Sequence, residues 1–78
     1  MVKFIEYWMF ASRLWNDAEP TPIAINLRNI TKIEQVQISL LGGNVVAVYL
    51  KNDNNLIPIE GDITEILAEF QKHLINQF

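Results

Sequence analysis

Hydrophobic and polar positions alternate with a period of two through most of the first sixty residues and then switch to a helical period, which predicts a sheet followed by one helix. The centre of the pattern is Val36-Gln37-Ile38-Ser39-Leu40-Leu41, a Gly42-Gly43-Asn44 break, and then Val45-Val46-Ala47-Val48-Tyr49-Leu50. Two β-branched runs separated by glycine and asparagine read as a β-hairpin. A one-residue slip would turn every side chain to the opposite face, so the register decides which side is dry. A two-residue Gly42-Gly43 loop would set Leu40 opposite Val45 and mix apolar with polar positions. A three-residue loop, with Asn44 in the left-handed region, sets Leu40 opposite Val46, Ile38 opposite Val48 and Val36 opposite Leu50. The second register is the expected one, because it gives one dry face and one mostly wet one.

Residues 2–11 read as one long strand, with Phe4, Ile5, Tyr7, Trp8, Met9 and Phe10 placing apolar side chains on both faces. Such a strand needs cover on both sides. One face goes to the core; the other is a candidate subunit interface, built from Tyr7, Trp8 and Met9 with Tyr49 of the central hairpin. The competing reading is that the next loop folds back as a lid. That loop, residues 12–21, is polar and runs into Pro20-Thr21-Pro22. A short second strand follows at residues 23–27, and Asn26 to Asn29 suits a tight turn or a single 3₁₀ turn. Residues 30–41 form the third strand, where a bulge near Ile33 to Gln35 would let Ile33 point inward. After a polar turn at residues 51–55, the last strand is Leu56-Ile57-Pro58-Ile59. Pro58 lacks a ladder donor, so this strand belongs at an edge or pairs on one side only.

Gly61-Asp62 opens the helix. Asp62 is the N-cap and Glu65 follows three residues on, as in a capping box. Ile63, Ile66, Leu67, Phe70, Leu74 and Phe78 then recur at steps of three and four, one apolar stripe facing the sheet. The predicted fold class is α+β: an antiparallel five-stranded β-meander with one C-terminal helix packed on a face, a single domain over residues 1–78.

Composition changes this picture in one respect. At 78 residues, half of them hydrophobic and none of them cysteine, the chain has little volume for a core and no disulfide to staple it. Self-association adds buried apolar area without a longer chain, so a homo-oligomer is expected. A net charge of −3, with six basic residues scattered along the chain, argues against a nucleic-acid polymer as partner. The apolar stretch of residues 4–14 is interrupted by Glu6 and Arg13, so no signal peptide and no membrane partner are read, and the expected location is cytoplasmic.

Candidate chemistry is confined to the 12–21 loop, which carries Arg13, Trp15 and Asn16 close together. A flat aromatic stacks, a guanidinium pairs with phosphate or carboxylate, and an amide fixes orientation; Arg28 is a second candidate cation. The alternative is that Trp15 covers the sheet edge while Arg13 is solvated. Nothing else forms a catalytic set. His73 is the one histidine, read as solvent-facing or as a partner of the helix C-terminus. Gly42-Gly43-Asn44 precedes a strand and lacks the lysine of a phosphate-binding loop. No enzyme activity, metal or cofactor is expected. Two function classes remain: a protein-interaction adaptor, or a module that sequesters a small anionic, nucleotide-like ligand at a subunit interface, as viral anti-defence sponges do.

Residues 24–34, Ala-Ile-Asn-Leu-Arg-Asn-Ile-Thr-Lys-Ile-Glu, resemble a segment of the small flagellar protein family called FlbD or SwrD. There an Asn follows a short strand, an Ile comes four residues later, and an Ile-Glu pair ends the segment. The similarity resumes over residues 46–70, through a hairpin ending on Glu60 and through Glu65-Ile66-Leu67 of the helix. Residues 35–44 look like an insertion, and the opening strand with its Trp15 loop has no counterpart. The resemblance implies a non-enzymatic, protein-interacting β-meander with a terminal helix.

Overall fold

A computed structural model of the chain describes the backbone of residues 2–76 and the side chains of residues 2–73. Six strands, β1 (Lys3–Ile5), β2 (Trp8–Arg13), β3 (Thr21–Asn26), β4 (Ile30–Ile38), β5 (Gly43–Leu50) and β6 (Leu56–Ile59), form one sheet, followed by helix α1 (Ile63–Asn76). Every strand pair is antiparallel. The α+β class stands, but there are six strands and their order is β1-β2-β6-β5-β4, with β3 on the other edge of β2. The sheet is therefore two three-strand units, β1-β2-β3 and β4-β5-β6, joined where Arg13 meets Ile59. Two backbone bonds seal the joint, Leu14 N–H to Pro58 O at 2.9 Å and Glu60 N–H to Ser12 O at 3.0 Å.

The sixth strand arises because residues 2–11 are not one strand. Glu6 adopts φ +53°, the chain reverses, and Ile5 pairs with Trp8. Across the first unit, Phe4, Met9 and Ile25 form one inward row. Lys3, Phe10 and Ala24 form an outward row, as do Ile5, Trp8 and Asn26. A 3₁₀ turn, Leu27–Asn29, leads to β4, with Asn26 Oδ1 accepting from Arg28 N–H at 2.9 Å.

The central hairpin also departs from expectation. Val36 pairs with Val45, Gln35 with Val46 and Ile33 with Val48. Leu40 and Leu41 are not strand residues: Ser39–Leu41 coil into a 3₁₀ turn closed by Gly42 at φ +93°, and Gly43 follows at φ +114°. Glycine meets the left-handed requirement that the predicted register assigned to Asn44, at lower steric cost. The turn absorbs four residues and shifts the register. The bulge lies at Thr31, between the Ile30–Leu50 and Lys32–Tyr49 pairs, two residues before its predicted place, and it turns both Ile30 and Ile33 toward the core.

Both units contribute to one core, Met9, Ala11, Ile25 and Leu27 from the first and Val46, Val48, Ile57 and Ile59 from the second, with Ile66 of α1 across them. Burying Ile66, 2% exposed, stabilises the fold by about 1.5–3 kcal/mol. Asp62 caps the helix as read from the sequence, its Oδ1 accepting from Thr64 N–H at 3.0 Å. Ile63 and Phe70 pack against the core as the stripe requires, whereas Leu67 is exposed; Leu74 and Phe78 lie outside the described side chains. β6 is not the edge or one-sided strand that Pro58 suggested: it pairs along its length with β5 and at its end with β2, and Pro58, which has no N–H to give, meets the β2 side through its carbonyl alone.

Candidate functional site

Strand β2 ends at Arg13, and residues 14–20 then leave the sheet as an irregular, mainly exposed loop. It does not fold back as a lid on the outer face of β1 and β2, where Trp8 and Phe10 stay open. The start of the loop and the Ser39–Leu41 turn instead flank a groove of about 260 Å³. Arg13, Trp15 and Asn16 line one side, and Ile38, Leu40, Leu41 and Pro58 make an aliphatic wall. The guanidinium of Arg13 lies 4.3 Å from the Trp15 ring centroid, and the indole Nε1–H donates to Thr21 Oγ1 at 3.0 Å. Trp15 is thus a fixed platform for a cation, and 42% of its surface stays open.

Arg13 is held by its stack on Trp15 and has no polar partner among the described residues. Among the described residues the ion pairs are Lys32–Glu34 and Glu69–His73, each at 3.5 Å, and neither involves the guanidinium. Its Nε is enclosed without an acceptor. Asp17 and Glu19, the acids of the same loop, are exposed and unpaired with it.

Arg28 does not join this group. It stacks on Tyr7, 3.9 Å from the ring centroid, at the end of the β2–β3 ladder where Trp8 faces Asn26. Arg13 faces Thr21 at the opposite end, five residues away, roughly 17 Å at the rise of a strand. Three of the four predicted ligand residues come together and the fourth is separate. The aliphatic wall was not among the predicted residues, because it comes from elements far along the chain.

The predicted interface residues also divide. Met9 is fully buried in its own chain and cannot be an interface residue: neighbours on one strand alternate faces, so Trp8 and Met9 cannot both point outward. Tyr49 is half-buried, donates its hydroxyl to Glu34 Oε1 at 3.0 Å and lies under Lys32 at 4.4 Å. Tyr7 is half-buried under Arg28. Trp8 remains outward, 43% exposed, with Ile5 at 47% and Phe10 at 41% beside it. Alternation along Trp8-Met9-Phe10-Ala11 was the signal for this set, once the strand is known to start at Trp8.

No family model matches the chain, and no curated protein or solved structure is significantly similar to it. Its function has to be argued from the geometry.

No group of three or more potential metal ligands occurs among the described residues, and no described helix is long and apolar enough to cross a membrane. His73 lies in the last turn of α1, one of the two places read for it, but is half-buried instead of solvent-facing, stacked on Phe4 with ring centroids 5.3 Å apart. Its Nε2 lies 3.5 Å from Glu69 one helical turn earlier, a packing role between α1 and β1.

Proposed function

We propose that the protein is a non-catalytic interaction adaptor that associates with its own copies through the outer face of β1-β2-β3. The carrying observation is the adjacency of Ile5, Trp8 and Phe10, each more than two-fifths exposed on neighbouring positions of one ladder. Ala24 and Pro22 extend the patch on β3, opposite Phe10 and Ser12. Contiguous apolar surface of this kind costs free energy in water and marks interaction faces. A second copy is the fitting occupant, because a two-fold pairing brings the same patch against itself and supplies the apolar burial that a chain of this size lacks.

Sedimentation equilibrium across a hundredfold concentration range tests this reading. The native chain is expected as a dimer or a higher closed oligomer. The double variant Trp8→Lys, Phe10→Lys is expected as a monomer with an unchanged circular dichroism spectrum, since both side chains already face solvent in the single subunit. A native chain that stays monomeric at hundreds of micromolar overturns it.

A further inference from the structure

We infer that the groove between the loop start and the Ser39–Leu41 turn seats the C-terminal residue of a partner polypeptide. Its apolar side chain would lie on the Leu40–Leu41–Pro58 wall and its α-carboxylate on Arg13. This names a partner for the adaptor proposed above and rests on that reading, but it uses a different surface. Arg13 and Trp8 are five strand residues apart, so either surface can be removed alone.

Charge comes first. No hydrogen bond or ion pair from the described residues engages any guanidinium nitrogen of Arg13, although the side chain is only partly exposed. Nε is enclosed without an acceptor, and Arg13 lines the groove. Its planar fork matches the two oxygens of a carboxylate, and the stack on Trp15, itself pinned to Thr21, fixes the plane in which the carboxylate must approach. Asn16 adds a second polar group on the same side.

Lining then chooses among anions. The groove is open and mainly aliphatic, so it suits an apolar side chain beside the charge. A nucleotide would set ribose hydroxyls and further phosphate charge against Leu40 and Leu41. A chain-terminal residue carries an apolar side chain and a carboxylate on one Cα, so both fit within the groove. An internal Asp or Glu spends its stem on reaching the arginine and leaves the aliphatic wall uncovered. Leu40, at 74% the most exposed large hydrophobic residue among those described, is the side chain that such a ligand would cover.

The probe is a fluorescein-labelled hexapeptide, Ser-Gly-Ser-Gly-Val-Leu, with a free C-terminal acid, titrated with the full chain by fluorescence anisotropy beside the same peptide as its C-terminal amide. Octanoate serves as competitor. The acid is expected to bind at least tenfold more tightly than the amide. Arg13→Gln is expected to abolish that difference with an unchanged melting midpoint, and Leu40→Ser to weaken the acid and the amide alike. Should Arg13→Gln alter the melt, Arg13→Lys keeps the charge, loses the planar fork, and is expected to retain only part of the acid preference. The monomeric Trp8→Lys, Phe10→Lys variant is expected to keep it whole, so a failure of self-association and a failure of the groove are separately visible. Equal binding of acid and amide, or no binding of either at millimolar protein, overturns the inference. Octanoate competing as tightly as the peptide acid overturns the polypeptide as occupant, and tighter binding of adenosine monophosphate in the same assay overturns the class of ligand.

Discussion

The two three-strand units share one core yet differ on their outer faces. Away from the groove, the outer face of β4-β5-β6 is closed by its own side chains. Val45 and Ala47 are buried on the side away from the core, Tyr49 is bonded to Glu34, Lys32 covers the Tyr49 ring, and Thr31 donates to Tyr49 O at 3.2 Å. In β1-β2-β3 the equivalent rows hold Ile5, Trp8 and Phe10, each more than two-fifths exposed. A sheet surface needs either a polar finish or a cover. The second unit carries the finish and the first lacks it, which is why the proposed association is placed on the first unit. The groove falls at their junction, where the end of β2 meets β6.

The largest test of the shared core is Ile66→Asp. Ile66 is 2% exposed and packs with residues of both units, so a carboxylate there is buried without a partner. The cost is several kcal/mol, against a total stability of about 4–12 kcal/mol for a chain of this length. Both units are expected to unfold together, as loss of the far-ultraviolet signal and of any cooperative melt. A variant that melts near the native midpoint would show that the units do not depend on one core.

Gly61→Ala is expected to be milder. Gly61 links β6 to the helix at φ +152°, and an added Cβ would lie 2.7 Å from Ile66 Cδ1 and 3.1 Å from Val2 Cγ2. Ile66 cannot swing aside because it is buried, so backbone strain and crowding together cost about 1–3 kcal/mol. The expected drop in melting midpoint is about 4–8 °C per kcal/mol for a domain of this size. An unchanged midpoint would mean that the helix docks on the first unit more loosely than the single core implies.

What could be read from the chain follows the reach of its interactions. The helix start was legible because Gly61-Asp62 and the Ile63, Ile66, Phe70 spacing are local chemistry. The last strand was legible by its short apolar run, though not as the inner strand between β2 and β5 that it is. Two turns were not. Glu6 takes a left-handed conformation with no glycine or asparagine to announce it, and Leu40 and Leu41 look like strand residues while they coil into a 3₁₀ turn. Register and strand count followed those turns. Docking of β6 on β2 pairs residues 46 positions apart, which no local pattern encodes. The candidate site split along the same line. Arg13, Trp15 and Asn16 were visible as neighbours in one loop, whereas the wall they face exists only after β6 and the Ser39–Leu41 turn arrive from elsewhere. Arg28 was drawn into the set by its charge alone and is held by Tyr7 at the far end of the ladder.

The smallest effect sharpens the contrast between finished and unfinished faces. The Tyr49 hydroxyl donates to Glu34, a bond that only the protonated phenol can make. That bond first, then partial burial, then repulsion of a phenolate by the Glu34 carboxylate, raise the Tyr49 pKa above its usual value of 10.0. A group whose folded-state pKa lies above its unfolded value contributes stability that is fully present below the unfolded pKa and is lost as pH rises through the folded one. Urea midpoints of the native chain and of Tyr49→Phe are therefore expected to differ by a constant amount from about pH 7 to 9, and the advantage of the native chain is expected to shrink above about pH 10. Glu34→Gln is expected to shrink that loss, because it removes the carboxylate behind both the strongest and the weakest of the three causes and brings the folded-state pKa back toward the unfolded one. A difference that stays constant through about pH 11.5 would mean that Tyr49 is not held by Glu34, and the second unit would then lack the polar finish that sets it apart from the first.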